Sequence, residues 1–207
     1  MKNLLLMAFF TGLFLLKVPV SYSQEANLSP VVALDGAVMI AVSDNGMWAA
    51  GYVSDAGIHI SASIWNLETF ERTMLVGFSE ISGAYDVSDD GTVVVGSYQN
   101  NAGYWLNGIW NELPAPIANG IGQVNAVTPD GSQMVGRVFA SDYSVSYACH
   151  WVNGELMDVN HSDVDRFGEN AYFNEMVSIS PDGNTLLGCL NYPSVWNSDS
   201  QIIRFSC

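Results

Sequence analysis

The sequence predicts an all-β chain of four four-stranded antiparallel sheets, and three observations predict it. First, one string occurs four times, at Val42–Gly51, Val87–Gly96, Val127–Gly136 and Ile179–Gly188. It reads apolar, Ser/Thr, Asp/Pro, Asp/Asn, Gly, two variable residues, two apolar residues, Gly. Second, a tryptophan follows each string in the same order: Trp65, Trp105, Trp151 and Trp196. Third, Asn107-Gly108 and Asn153-Gly154 place a further turn signal just after two of these tryptophans. The turn glycines Gly46, Gly91, Gly131 and Gly183 recur 45, 40 and 52 residues apart, the length of one propeller blade.

Each repeat reads as four strands in order. Asp-Gly or Asn-Gly between two apolar segments is a tight hairpin turn, because Gly accepts positive φ at low cost. In the third repeat this gives a first strand over Asn125–Thr128 and a second over Gln133–Phe139. A variable loop leads to a third strand over Tyr147–Val152, and Asn153-Gly154 turns into a fourth over Glu155–Val159. The pairs Ala49-Ala50, Val94-Val95, Met134-Val135 and Leu186-Leu187 are continuous rather than alternating, as in strands buried on both faces. Blades stacked face to face around an axis bury their inner strands in this way. The glycine closing each pair leaves room for close backbone approach, and the recurrent tryptophan fills the gap between blades. The blades are expected at about 37–77, 83–115, 122–160 and 175–205, closing a four-bladed ring or forming part of a larger one.

Composition agrees with a packed, exported domain. Hydrophobic residues make up 49% of the chain and charged residues only 13%. Met1-Lys2-Asn3, an apolar run over Leu4–Leu16, and small residues at Ser21 and Ser23 read as a signal peptide over 1–23, followed by an extension over 24–36. That apolar run is short of the roughly 20 residues a membrane span needs, so no membrane insertion is expected after cleavage. Cleavage removes Lys2 and Lys17, leaving four arginines against 21 acidic residues, a net charge of −17. Such a surface repels phosphate backbones, so no nucleic-acid partner is expected. Cys149, Cys189 and Cys207 are an odd set in an exported chain and too few for a disulfide framework.

The unit Val87–Ser97, followed by an aromatic-Trp strand and an Asn-Gly turn, resembles the HAF-type repeat of bacterial extracellular proteins. Residues 126–159 carry the fullest likeness: Ala126–Gly136, then Ala148-Cys149-His150-Trp151, then Gly154–Val159. The likeness covers nearly all of 37–205. It departs where Trp48-Ala49-Ala50 replaces a valine run, and where the loop before Trp196 is very short. The resemblance implies export and a propeller-like fold, and no defined reaction. Ser180-Pro181-Asp182-Gly183 also resembles the WD40-like repeats of periplasmic TolB-type proteins, which lack the regular second Gly and the Trp.

Groups suited to chemistry are few. Asp158, Asn160, Ser162 and Glu169 stand at positions 1, 3, 5 and 12 of an EF-hand-like spacing and form the calcium candidate. Position 6 is Asp163 rather than the glycine such a loop needs, and the competing reading is an acidic linker between blades three and four. No other cofactor is expected. His150 precedes Trp151 on a strand and reads as a structural histidine. Carboxylates such as Asp89-Asp90 fall at the turns, where Asp serves turn geometry. No catalytic residue is nominated. The loops Ser97–Asn101 and Phe139–Ser144 mix aromatics with amides and hydroxyls, which suits recognition of sugars or polypeptide. The expectation is therefore an exported, non-enzymatic module binding a protein or glycan, with oligomerisation if the ring is incomplete. The alternatives are a secreted hydrolase using loop carboxylates on polysaccharide, and a truncated product without independent function.

Overall fold

The computed structural model describes residues 37–55, 59–77, 81–144, 146–157, 175–189, 193–197 and 202–204. The signal segment 1–23, the extension 24–36 and the calcium candidates Asp158, Asn160, Ser162 and Glu169 lie outside the described residues. Sixteen strands and no helix occur among the described residues. Blade one comprises β1 (Ala37–Val42), β2 (Trp48–Asp55), β3 (His59–Asn66) and β4 (Arg72–Met74). Blade two comprises β5 (Ser82–Val87), β6 (Val93–Tyr98), β7 (Asn101–Leu106) and β8 (Ile109–Glu112). Blade three is β9 (Ile121–Val127), β10 (Gln133–Phe139), β11 (Ser146–Val152) and β12 (Glu155–Met157). Blade four is β13 (Glu175–Ile179), β14 (Thr185–Cys189), β15 (Pro193–Asn197) and β16 (Ile202–Arg204). Each blade is a four-stranded antiparallel meander in sequential order, so the fold is all-β and β-propeller-like.

The Asp-Gly turns are larger than tight hairpins, and this corrects the sequence reading. Five residues connect the first and second strands in every blade, for example 128–132 between β9 and β10. One hydrogen-bond pattern closes all four connections. The hydroxyl of Ser43, Ser88, Thr128 or Ser180 donates to the Asn/Asp side-chain oxygen two residues on, at 2.6–2.9 Å. The same hydroxyl accepts the N–H five residues on, at 2.9–3.1 Å. The Asn/Asp oxygen accepts the N–H two residues further along, at 3.0 Å. Gly46, Gly91, Gly131 and Gly183 follow with φ of 72–75°, the left-handed region that a side chain rarely adopts. The Ser/Thr-x-Asp-Gly string is thus a turn built by short-range side-chain bonds. The Asn107-Gly108 and Asn153-Gly154 turns are two-residue hairpins with both φ values positive, as expected.

Every first strand carries a β-bulge at the same place. Pairing skips one residue in each blade: Ile40, Tyr85, Asn125 and Val177. The partner opposite the residue before the bulge is the second repeat glycine: Gly51, Gly96, Gly136 and Gly188. A Cβ at Gly51, Gly96 or Gly136 would collide with the carbonyl oxygen of Val38, Gly83 or Gln123. The bulge drives that carbonyl toward the neighbouring strand, and only glycine leaves space for it.

In blades one to three the apolar pairs bury both faces, as expected for a stack, whereas Leu187 of the fourth pair is 37% exposed. Ala50 packs with Val94 and Trp105 across blades one and two. Val95 packs with Val124, Val127, Met134 and Trp151 across blades two and three. Val135 packs with Met176 and Leu186 across blades three and four. Where a neighbouring blade is described, the first member of a pair faces the preceding blade and the second the following one. Trp105 and Trp151 are 1% and 0% exposed in these seams, the gap-filling role that their spacing predicts. Trp65 is equally buried in a blade-one cluster with Ala49 and Val53. The side chain of Trp196 lies outside the described residues. Backbone and side chain also link the turns: Asn45 N–H donates to Asp89 Oδ1 at 2.8 Å, and Asp89 N–H to the Pro129 carbonyl at 2.8 Å.

Candidate functional site

The meander sets the two ends of the stack apart. Among the described residues, the first-to-second and third-to-fourth strand turns fall at one end, and hydroxyl–carboxylate or hydroxyl–amide bonds close the first-to-second turns. The described second-to-third strand loops and blade-to-blade linkers, 99–100, 113–120 and 140–144 among them, fall at the other end. There Gln99 N–H donates to the Ile81 carbonyl at 3.0 Å and Gly122 N–H to the Asn100 carbonyl at 2.7 Å, fastening the turn between β6 and β7 to the residue before β5 and to the start of β9. Sequence at this end varies from blade to blade because no shared turn geometry constrains it.

The two loops singled out by composition behave differently. Within Ser97–Asn101, only Gln99 and Asn100 lie outside strands, with φ of 50° and 68°. This is a two-residue hairpin, since Asn tolerates the left-handed region in place of glycine. Of the stretch Phe139–Ser144, Phe139 ends β10 and 140–144 form a true loop. Asp142 accepts the Ser144 N–H and hydroxyl at 2.9 and 2.6 Å, which holds its carboxyl below the usual range. Tyr143, with φ of 58°, is thrown outward and is 69% exposed.

A polar network reaches this loop from the seam between blades three and four. Gln123 donates to Asn125 Oδ1 at 2.7 Å. Asn125, the bulge residue, donates to Glu175 Oε1 at 3.0 Å and to the Met176 carbonyl at 2.7 Å. The other oxygen of Glu175 accepts from Arg137 Nη1 at 2.9 Å. The Arg137 guanidinium carbon lies 4.8 Å from the centroid of the Phe139 ring, and the Phe139 and Tyr143 centroids are 5.8 Å apart. Arg137 and Glu175 are partly exposed, and Arg137 Nε is buried with no hydrogen-bond partner among the described residues. The arrangement offers a guanidinium plane, two aromatic rings and an amide along one edge. It can stack against a ring or peptide plane and hydrogen-bond its polar groups.

Sequence reasoning picked out Phe139 and Tyr143 and missed Gln123, Asn125, Arg137 and Glu175. The available signal was Arg137 itself, one of four cations beyond residue 23 and placed mid-strand. Its partner Glu175 is distant in sequence and nothing local marks it.

Other candidate groups are structural. His150 is buried, bonds Gln133 Oε1 at 2.9 Å, and has its pKa lowered by burial. Cys149 is a buried free thiol whose pKa is pushed up to about 12 by burial. Cys189 is also free and half-buried. Asp90 belongs to its turn, and the Thr92 N–H and Ser88 hydroxyl hold its carboxyl below the usual range. Asp86 is different: burial between blades two and three pushes it up to about 6, although its two oxygens accept the Val87 and Val127 N–H groups at 2.9 Å each.

Comparison with known proteins points to fold alone. No family model matches the chain, and no curated protein matches it. Among solved structures it is similar to TolB from Acinetobacter baumannii, with TM-score 0.52 and 9% identity over 78% of this chain and 42% of that one. It is similar to a putative TolB from Agrobacterium tumefaciens, with TM-score 0.53 and 11% identity over 79% of this chain and 62% of that one. A third similar structure, from a study of two prolyl endopeptidases, gives TM-score 0.52 and 14% identity over 82% of this chain and 29% of that one. The chain thus spans less than two thirds of each. These identities support the propeller-like architecture and transfer no activity.

Proposed function

We propose that the chain is an exported, non-enzymatic propeller-like module, of the HAF-type repeat kind, that binds a protein or glycan through its loop end. One observation carries the reading: the edge formed by Arg137, Phe139 and Tyr143 gathers stacking groups and a guanidinium around an exposed tyrosine. The opposite end offers less, because its hydroxyls and carboxylates are occupied by the turns. A ligand with flat apolar faces and hydroxyl or amide edges, a sugar or an extended polypeptide, fits that chemistry. Export follows from the signal-like segment over 1–23, and the strongly acidic surface keeps such a module soluble.

The test is binding of the purified chain to glycan arrays and to cell-surface extracts, repeated with Tyr143→Ala and Arg137→Gln. The expected result is a ligand whose affinity falls about tenfold or more in each variant, the loss typical of a buried anchor worth over 1 kcal/mol. Binding that neither variant alters, or no binding to any glycan or surface protein, contradicts the reading.

A further inference from the structure

We propose that blade two carries, at the loop end of the face it turns to blade one, a subsite for the ring of a neutral sugar. Register places Tyr98 of β6, Asn101, Gly103 and Trp105 of β7, and Trp110 and Glu112 of β8 on one face. The inner part of that face belongs to the seam, where Trp105 packs with Ala50, Ala62 and Ile64 of blade one. Tyr98 and Trp110 border the same cluster and stay partly exposed. On the same face Asn101 is half-buried and Glu112 is exposed. None of these residues belongs to the Arg137–Tyr143 edge, so the two sites stand or fall separately.

Blade two departs from the repeat at the three positions that build this surface. Two residues after the repeat glycine stands Tyr98, where blades one and three have Val53 and Val138. Opposite the repeat tryptophan stands Trp110, where the other blades have Arg72, Leu156 and Ile202. Two residues before that tryptophan stands Gly103, where they have Ser63, Cys149 and Ser194. The three departures depend on one another. A Cβ at Gly103 would collide with the Trp110 ring, so glycine is what lets that ring lie across β7 toward Tyr98. The Trp110 centroid is 5.5 Å from that of Tyr98, with the planes at 70°, and 4.7 Å from that of Trp105. Val53, Val138 and Leu156 show that the stack itself asks only for aliphatic side chains at the outer positions.

Polar groups complete the corner. Asn101 Nδ2 donates to Glu112 Oε2 at 3.2 Å, which leaves an amide oxygen and a second carboxylate oxygen to accept from a ligand. The Trp105 indole N–H is a further donor. Its counterpart in blade three, Trp151, donates to the Pro114 carbonyl at 2.9 Å. The matching carbonyl for Trp105 is that of Val76, and it accepts the Ser61 hydroxyl instead. Trp105 Nε1 is thus buried with no acceptor among the described residues, a costly state that an oxygen-rich ligand relieves. The ring faces of Tyr98 and Trp110 suit the C–H face of a pyranose, and the amide and carboxylate suit its adjacent hydroxyls. Between Ser82 and Glu112 there is no Lys or Arg, so an anionic sugar meets Glu112 without a counter-charge. A bare cation is less well served, because the rings pack on one another and enclose no seat for it.

The experiment is calorimetric titration of the purified chain with soluble oligosaccharides of glucose, mannose and N-acetylglucosamine, with oligogalacturonate as the anionic probe and choline as the cationic one. The variants are Trp110→Leu, which installs the blade-three residue, Glu112→Ala, which alters an exposed side chain, and Tyr143→Ala on blade three. The expected result is saturable binding of at least one neutral oligosaccharide, with Kd raised about tenfold or more by Trp110→Leu and by Glu112→Ala and unmoved by Tyr143→Ala. Circular dichroism of Glu112→Ala should match the parent, so that variant decides the matter if Trp110→Leu does not fold. Binding of choline or oligogalacturonate alone, no binding of any neutral oligosaccharide, or binding indifferent to Glu112→Ala would overturn the proposal. Binding lost only in Tyr143→Ala would overturn it too, while leaving the blade-three edge in place.

Discussion

Asp86 shows how one half-buried residue sets a pH dependence. Its carboxylate satisfies two backbone N–H groups, yet removal from water raises its pKa from 3.8 to about 6. An acid held above its unfolded value contributes stability that is fully present below pH 3.8 and lost as pH rises through 6. The turn carboxylates Asp90 and Asp130 act in the opposite sense. Their pKa values are lowered, Asp90 chiefly by the Thr92 N–H and Asp130 chiefly by the Thr128 hydroxyl. Their contribution is present above the unfolded pKa and lost as pH falls through the folded one. A tenfold change in a proton equilibrium corresponds to about 1.36 kcal/mol, so the rise at Asp86 amounts to about 3 kcal/mol. The unfolding free energy of the parent minus that of Asp86→Asn should fall by roughly that amount between pH 4 and pH 7. A flat difference across this window would show that Asp86 does not titrate as described. Glycine supplies a second residue-scale prediction. Gly96→Ala puts a methyl group into the Gly83 carbonyl and should cost about 3 kcal/mol, lowering Tm by roughly 6–12 °C. A change below 2 °C would mean that the bulge and its glycine are not in register.

At the scale of the element, the five-residue turn is the repeated unit. Thr128 is 2% exposed and its hydroxyl both donates to Asp130 and accepts the Gln133 N–H. Thr128→Val keeps the shape and strands those partners, so a loss of about 1–3 kcal/mol is expected. Ser180 makes the same bonds in a solvent-exposed turn, and Ser180→Ala should cost under about 1 kcal/mol, since water replaces the lost partner. Equal losses at the two sites would contradict a burial-dependent role. The elements were legible in the sequence where side-chain chemistry is local. The second strand of blade three runs over Gln133–Phe139 as expected, bounded by a turn on one side and polar residues on the other. The first strand begins at Ile121 rather than Asn125. Gly122, Gln123 and Asn125 look like loop residues, and only pairing with the backbone of β10 extends the strand through them. The bulges were invisible for the same reason: register belongs to two strands, and Ile40, Tyr85, Asn125 and Val177 share no side-chain type.

At the scale of the whole molecule, the stack follows from doubling each apolar pair across its strand. Ala49-Ala50 is the smallest pair, and the bulky Trp48 beside it reaches over Gly91 of the next blade. This explains why blade one departs from the valine run without losing its seam. The loop-end site was half legible. Its aromatics announced themselves by composition, whereas Arg137, Asn125 and Glu175 come together only because blades three and four stack. The stacking of blades in sequence order is therefore the central claim, and the contact between Trp48 and Gly91 tests it most directly. In a nuclear magnetic resonance spectrum of the native chain, the Gly91 α-protons should show cross-peaks to the Trp48 indole and an upfield ring-current shift that Trp48→Leu abolishes. Gly91 α-protons at ordinary shifts, with no cross-peak to any tryptophan, would contradict the account.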